Sequence, residues 1–193
     1  MKYIPELQKE NSKFKLISVP VGSSACNCYI HYDPKIREAI IIDPGDDATY
    51  IENIISDHNL IPKLILVTHG HSDHVGAVLE LKLAYQCPFA ISSKDSFLFK
   101  QHIDINLDTV KKIHNYKIVK TPGHTPGSVS LFCPENKICF VGDVVFEGNL
   151  RGRTDFNYSD PLTLEKSIDK IKKLGNNLII YPGHGRKFNN MII

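Results

Sequence analysis

The chain has 193 residues, of which 42% are hydrophobic, and this size suits one globular domain with a substantial core. The formal net charge is only +2 at pH 7, and acidic and basic residues are interspersed, so composition gives no reason to expect nucleic-acid or membrane-surface binding. No apolar stretch approaches the ~18 residues of a membrane-spanning helix, and the N-terminus lacks an apolar signal core. We therefore predict a soluble, untargeted protein of the cytoplasm.

The first half of the chain predicts strands followed by helices. Three runs of β-branched and aromatic residues are separated by Pro20-Val21-Gly22 and Asp33-Pro34, as expected for consecutive strands. A helix should follow, because Ile51, Ile54 and Ile55 recur at helical spacing. The predicted ranges are 14–19, 26–32 and 38–42 for these strands, 46–59 for the helix, 63–67 for a fully buried strand, 75–85 for a second helix, 88–91 for a short strand and 92–101 for a third helix.

The second half repeats this plan after a polar, irregular segment at 102–116, which we predict to be a surface loop. Strands are predicted at 117–120, 128–133, 137–141 and 177–181. The last helix should begin at Pro161, with Asp160 as its N-cap, and should end at Gly175. Two such blocks predict two sheets packed together with helices outside.

The five cysteines are odd in number, and most lie within apolar runs, which favours free thiols in a reducing compartment over a disulfide framework. Cys26-x-Cys28 could be a metal-binding pair. Because the two residues lie on one face of a predicted strand, we interpret both as small buried hydrophobes.

Four residues that can bind metal lie within six positions directly after the buried strand: His69, His71, Asp73 and His74. Histidine offers a neutral nitrogen and aspartate a hard oxygen, and a zinc-like ion accepts both. In an extended loop, His69 and His71 point the same way and can share one ion. Asp73 and His74, at the turn into a helix, can reach a second.

Three further residues of this kind stand in matching settings. His124, Asp143 and His184 each follow a predicted strand, and glycines flank each of them, which lets the backbone turn sharply close to an ion. A single histidine or aspartate in a loop is more often solvated than bound to metal. The clustering of four such residues with three glycine-flanked partners therefore carries the prediction of a metal site.

The order His-x-His-x-Asp-His, then His, Asp and His, resembles the metallo-β-lactamase superfamily. Residues 41–45, Ile-Ile-Asp-Pro-Gly, look like a strand-ending segment of that family. The overall pattern is most similar to the glyoxalase II-like branch, the hydroxyacylglutathione hydrolases, and residues 152–155, Gly-Arg-Thr-Asp, resemble an element of its small single-domain members. This resemblance implies an α+β fold, the four-layer αβ/βα sandwich, as a single domain over residues 1–193. It also implies that the helical C-terminal domain, which helps full-length members bind glutathione, is absent.

The resemblance further implies two divalent metal ions, with zinc expected and iron or manganese accepted by the same ligands. Asp73 would also orient the attacking hydroxide, Asp43 would accept an N–H from a ligand histidine, and Arg151 and Arg153 are candidates to bind a substrate carboxylate. The implied ligands are His69, His71 and His124 for the first metal, Asp73, His74 and His184 for the second, and Asp143 as the bridge between them.

The implied activity is hydrolysis of thioesters such as S-2-hydroxyacylglutathione by a hydroxide that two metal ions share. The substrate would be a small acyl-thiol, and the protein a monomer or small homo-oligomer. A mononuclear-iron persulfide dioxygenase is the main alternative, because such enzymes share the Gly-Arg-Thr-Asp-Phe element that Phe156 completes here. His184-Gly185-Arg186 favours the hydrolase, since those dioxygenases typically have His-Asp-Tyr at this position. Lactonase or β-lactamase activity and a non-catalytic metal-binding role are further alternatives. We interpret Tyr158 and Tyr181 as packing residues, with a place in the substrate pocket as the alternative.

Overall fold

Two six-stranded sheets lie face to face in the computed structural model, which describes residues 14–193 apart from the side chain of Ile192. A cluster of buried residues from both sheets fills the space between them. Phe140 lies at its centre, with its ring centroid 5.0 Å from that of Tyr29 and 5.3 Å from that of Tyr181. The contact of Tyr29 with Phe140 joins residues that are more than 100 positions apart in the chain into one hydrophobic core.

The first sheet contains strands β1 to β6 in chain order. The pairs β1–β2 and β2–β3 are antiparallel, and the remaining pairs are parallel. Its strands are Lys15–Val21 (β1), Cys26–Tyr32 (β2), Glu38–Ile42 (β3), Ile61–Leu66 (β4), Phe89–Ile91 (β5) and Ile105–Asn106 (β6). The helices of this half are Ala48–Asp57 (α1), Ser72–Val75 (α2) and Val78–Tyr85 (α3). Apolar side chains of α1 and α3 pack on the outer face of the sheet, which explains their helical spacing in the sequence.

The second sheet has the strand order β14-β13-β10-β9-β8-β7, in which only β10 and β13 are parallel neighbours. Its strands are Lys112–Ile113 (β7), Tyr116–Lys120 (β8), Val129–Cys133 (β9), Ile138–Gly142 (β10), Ile179–Pro182 (β13) and Phe188–Asn189 (β14), and a separate ribbon pairs Val145–Phe146 (β11) with Leu150–Arg151 (β12). Helix α4, Pro161–Lys172, covers the outer face. Asp160 caps α4 as predicted, since its side chain accepts hydrogen bonds from the main-chain nitrogens of Leu162 and Thr163.

The layers are therefore helix, sheet, sheet and helix, with one buried cluster between each adjacent pair. This arrangement confirms the predicted α+β, four-layer αβ/βα sandwich. All five cysteines are free and buried, as predicted. Among residues 14–193, no helix is both long and apolar enough to cross a membrane.

The predicted helix at 92–101 is wrong, because the segment forms only a short 3₁₀ turn at Ser93–Asp95 followed by further turns. Side chains of this segment bond elsewhere: the hydroxyls of Ser92 and Ser93 both donate to Asp108 Oδ2. Serine and aspartate often replace helical main-chain bonds with side-chain bonds of this kind. The predicted loop at 102–116 is largely irregular, but it contributes the two-residue strands β6 and β7 at the sheet edges.

Candidate metal centre

Loops from both sheets meet at one end of the sandwich and bring all seven predicted ligand residues together. The first sheet supplies the segment that follows β4, and the second supplies the β8–β9 loop and the residues that follow β10 and β13. Three groups of side chains have their donor atoms within 4.8 Å of one another: His69, His71 and His124; His69, His74 and Asp143; and Cys26, His74 and His184.

The first group consists of three histidines whose nitrogens converge on one point. His71 Nδ1 lies 3.1 Å from His69 Nε2 and 3.0 Å from His124 Nε2. Two ligands of a tetrahedral ion with ~2.0 Å bonds would be about 3.3 Å apart, so the spacing is close to that of a zinc-like site.

In two of these histidines, the hydrogen-bond partner of the ring nitrogen that points away from the centre determines which nitrogen carries the proton. His124 Nδ1 donates to the carbonyl of Arg153 at 2.7 Å, and a carbonyl can only accept. Thr68 Oγ1 donates to Asp43 Oδ2, so its oxygen is available to accept from His69 Nδ1, 3.2 Å away. His69 and His124 therefore present unprotonated Nε2 atoms to the same point. Burial, with a contribution from nearby His124, lowers the pKa of His71 to about 4, so this ring is also neutral. If His71 also presents an unprotonated Nδ1, three lone pairs meet at these distances and repel one another unless a cation lies between them.

The second group of predicted ligands, Asp73, His74 and His184, also has partners on its outward histidine nitrogens. His74 Nδ1 lies 3.1 Å from Asp43 Oδ2, and His184 Nδ1 donates to the carbonyl of Ser24 at 3.1 Å. The inward nitrogen of His184 lies 3.4 Å from Asp73 Oδ2. Asp43 is buried and also accepts from the main chain and hydroxyl of Thr68, both at 2.7 Å. It thus lies where its expected role as acceptor of a histidine N–H requires.

Asp143 lies between the two groups. Its Oδ2 is 3.7 Å from His124 Nε2 and 3.6 Å from His184 Nε2, and its Oδ1 is 3.5 Å from His74 Nε2. The buried Oδ1 has no hydrogen-bond partner among residues 14–193, which is costly for a carboxylate oxygen unless a cation binds it. Although burial alone would raise the pKa of Asp143, the charge of His74 and the hydrogen bond with His184 hold it well below its usual range. The donor set therefore fits two cations that share one carboxylate.

The centre opens into a cavity of about 710 Å³. Phe146, Leu150 and Phe156 form its apolar wall, and both candidate arginines line it. Each arginine is paired with a carboxylate, because Arg151 Nε lies 2.7 Å from a Glu165 oxygen and Arg153 Nη2 lies 2.7 Å from an Asp155 oxygen. Their role in binding a substrate carboxylate stays a prediction.

The sequence model of the metallo-beta-lactamase superfamily matches residues 21–184, a span that contains all seven predicted ligand residues. The chain belongs to the metallo-beta-lactamase superfamily. A hydroxyacylglutathione hydrolase of Haemophilus influenzae, GloC, is 36% identical over 190 residues, which cover 86% of this chain and 89% of the relative. The structure of the B3 metallo-beta-lactamase BLEG-1 is similar with a TM-score of 0.87 and 30% identity, over 92% of this chain and 95% of that one. A di-iron-bound structure of TTHA1623 gives a TM-score of 0.83 at 28% identity, over 91% and 96% of the two chains.

Asp95 is a buried residue of this superfamily member that sequence reasoning missed. Its carboxylate accepts hydrogen bonds from the main-chain nitrogens of Gly70 at 2.9 Å and Gly127 at 2.7 Å, and from Thr125 Oγ1 at 2.7 Å. Gly70 lies between His69 and His71, and Thr125 follows His124, so one carboxylate ties together the two loops of the first histidine group. The serine- and aspartate-rich run 92–95 is typical of a turn, and this pattern could have indicated a side chain free to bond other loops.

Cys26 makes a contact that the sequence prediction did not include. Its Sγ lies 3.6 Å from both ring nitrogens of His74, while Cys28 lies in the core between the first sheet and its helices. Burial raises the pKa of Cys26 to about 11, although His74 opposes this shift. The thiol is therefore protonated in this environment and packs against a predicted ligand residue.

Gly183 allows the strand β13 to pass close to the centre. A Cβ at this position would overlap Asp143 Oδ1 and would lie only 2.7 Å from His74 Cε1. Because strand β13 and the Asp143 backbone are fixed by the sheet, the carboxylate would have to move. We expect Gly183→Ala to reduce zinc affinity at least about tenfold, as displacement of a ligand or its support does. Metal content after dialysis against a zinc buffer would measure this.

Gly148→Ala is the control for an added methyl group away from the ligands: its Cβ meets no described heavy atom within 4 Å, and the strain of its φ of +74° is local to the turn between β11 and β12. This variant should bind as much zinc as the unmodified chain. Equal zinc affinity in Gly183→Ala and Gly148→Ala would contradict the close approach of Gly183 to the ligands.

Proposed function

We propose that the chain is a metal-dependent hydrolase of thioesters that binds two divalent ions. One observation carries this proposal: the Asp143 carboxylate lies between two groups of histidine nitrogens, and its buried Oδ1 accepts no hydrogen bond among residues 14–193. The proposed ligands are His69, His71 and His124 for one ion, Asp73, His74 and His184 for the other, and Asp143 for both.

The ions are proposed to be zinc, with iron as the alternative that the di-iron form of TTHA1623 supports. Histidine nitrogen and carboxylate oxygen accept either metal. When bound, such ions make water a nucleophile at neutral pH and stabilise negative charge on a substrate oxygen.

The chain's own residues contribute orientation and exclusion of water. Asp73 faces the cavity, and its hydrogen bond with His184 lowers its pKa, so it stays deprotonated and can orient the attacking water by accepting a hydrogen bond from it. Phe146, Leu150 and Phe156 give the acyl or thiol chain an apolar wall. A thiolate is a good leaving group, so the reaction does not require a strong general acid.

Thioester chemistry is proposed because a relative that is 36% identical is a hydroxyacylglutathione hydrolase. Metal stoichiometry and hydrolysis of S-lactoylglutathione by the purified protein test this directly. We expect two ions per chain, and turnover that a chelator abolishes and zinc restores. The variant His114→Ala, which removes an exposed histidine outside the centre, should retain both properties.

The result that would replace this proposal is one iron per chain, oxygen consumption with glutathione persulfide and no thioester turnover. Two ions per chain with hydrolysis of lactones or β-lactams alone would keep the metal site and reject the thioester substrate.

A further inference from the structure

Residues 153–160, which follow β12 and precede α4, lie across the first histidine group; we refer to them as the strap. The strap is bonded to the His124 loop at three points. The carbonyl of Arg153 accepts from His124 Nδ1 at 2.7 Å, Ser159 Oγ donates to the carbonyl of His124 at 2.6 Å, and Asp160 N donates to the carbonyl of Gly123 at 2.9 Å. The strap is therefore held in a fixed position relative to this loop.

Tyr158 extends the strap to a second histidine. Its hydroxyl lies 2.8 Å from His71 Nε2. His71 differs from its two partners because its Nδ1, and not its Nε2, is the atom that faces the centre. A histidine whose Nδ1 lone pair faces a cation must carry its proton on Nε2, and that proton needs an acceptor. The oxygen of Tyr158 is in position to accept it.

Aromatic packing fixes the place of this hydroxyl. The ring of Tyr158 stacks on Phe156, with centroids 5.2 Å apart and planes at 5°, and meets Phe97 edge to face at 5.2 Å. Phe156 also contacts the ring of His71, with centroids 5.0 Å apart. The tyrosine is thus braced on two sides, and its oxygen does not depend on solvent for its position.

We propose that Tyr158 is a positioning residue that holds His71 in the Nε2–H tautomer and in the orientation that binds the first metal. This inference rests on the proposed metal site, and it is independent of which substrate the protein cleaves. It adds to the interpretation of Tyr158 as a packing residue, since the ring packs on Phe97 and Phe156 and the proposed role belongs to the hydroxyl. His69 and His124 have their own outward acceptors, in Thr68 and in the main chain of Arg153, so Tyr158 completes the set.

Tyr158→Phe keeps the stacked ring and removes only the hydroxyl. We expect zinc affinity of the first site to fall about 10- to 100-fold, the usual range for loss of an outer hydrogen-bond partner. Competition with a chromophoric chelator measures the affinities of both sites, and that of the second should be unchanged. The absorption spectrum of the Co²⁺-substituted protein should also change.

Tyr116→Phe is the matched control, because it removes a hydroxyl bonded to His31, a histidine outside the centre. This variant should show neither effect.

Histidine ¹⁵N chemical shifts of the unmodified, zinc-loaded protein give a second test that does not depend on a variant. We expect His71 to be protonated at Nε2. The Nδ1–H tautomer, or a Tyr158→Phe variant with unchanged zinc affinities and an unchanged Co²⁺ spectrum, would overturn the proposal. Absence of metal binding by the unmodified protein would overturn it together with the proposed function. Metal binding without thioester turnover would contradict only the proposed thioester substrate. The zinc affinities of Tyr158→Phe would then still test the role of Tyr158.

Discussion

Asp143→Ala is expected to abolish hydrolysis and to reduce bound metal from two ions to one or none per chain. The carboxylate lies within 3.7 Å of His124 and His184, which belong to different histidine groups, and it is the only proposed ligand shared by both ions. Its loss removes one negative charge and one ligand from each site. We expect activity to fall about 10³-fold or more, equivalent to at least ~4 kcal/mol of transition-state stabilisation.

Metal content by mass spectrometry, together with the rate of S-lactoylglutathione hydrolysis, would test this expectation. Asp169→Ala, which removes an exposed carboxylate on helix α4, is the control and should retain both metals and activity. Two tightly bound ions in Asp143→Ala would refute the assignment of Asp143 as the bridge.

Asp95→Ala is expected to have the largest effect on stability. The buried carboxylate accepts three hydrogen bonds, and its removal leaves the main-chain nitrogens of Gly70 and Gly127 without an acceptor. The hydroxyl of Thr125 loses one of two partners, since Ser128 Oγ also lies 2.7 Å away. An unsatisfied buried donor costs about 1–3 kcal/mol, so we expect the free energy of unfolding to fall by about 3–5 kcal/mol. Zinc affinity should fall as well, because the two loops of the first histidine group lose their common anchor.

Urea unfolding of the metal-free protein would separate the loss of stability from the loss of metal. Asp57→Ala, at an exposed position at the end of α1, should change the free energy of unfolding by less than about 0.5 kcal/mol. If Asp95→Ala and Asp57→Ala unfold at the same urea concentration, the carboxylate of Asp95 does not hold the loops together.

Sequence periodicity was sufficient to predict the layers of this fold, because buried strands and amphipathic helices each have a characteristic spacing of apolar residues. The bounds of β2 and β3 were predicted to the residue. The short strands β11, β12 and β14 were not predicted, since two residues are too few for any periodic pattern. The turn around Asp95 was missed for a different reason: the segment 92–101 was predicted as a helix, but side-chain bonds to distant loops hold it in turns.

Some residues of the candidate centre could be recognised from the sequence, and others could not. Residues 69–74 could be recognised because the ligand types are adjacent in the sequence and follow a buried strand. Asp95 and Tyr158 could not, since they act on residues 25 to 32 and 87 positions away, respectively. Contacts at such separations depend on the whole fold. A single sequence shows a turn-like run around Asp95, but it contains no local pattern that identifies the distant partners of Asp95 or of Tyr158.

The supply of donor atoms by both sheets has a consequence for folding. His69, His71 and His74 follow strand β4 of the first sheet. His124 and His184 follow strands β8 and β13 of the second sheet. An ion bound by such a set would act as a cross-link between two halves of the chain, and would favour the folded state in proportion to its concentration over its dissociation constant. The two halves would then unfold as one cooperative unit when loaded. Without the ion, hydrogen exchange should reveal opening at the end of the sandwich at a lower free energy than global unfolding.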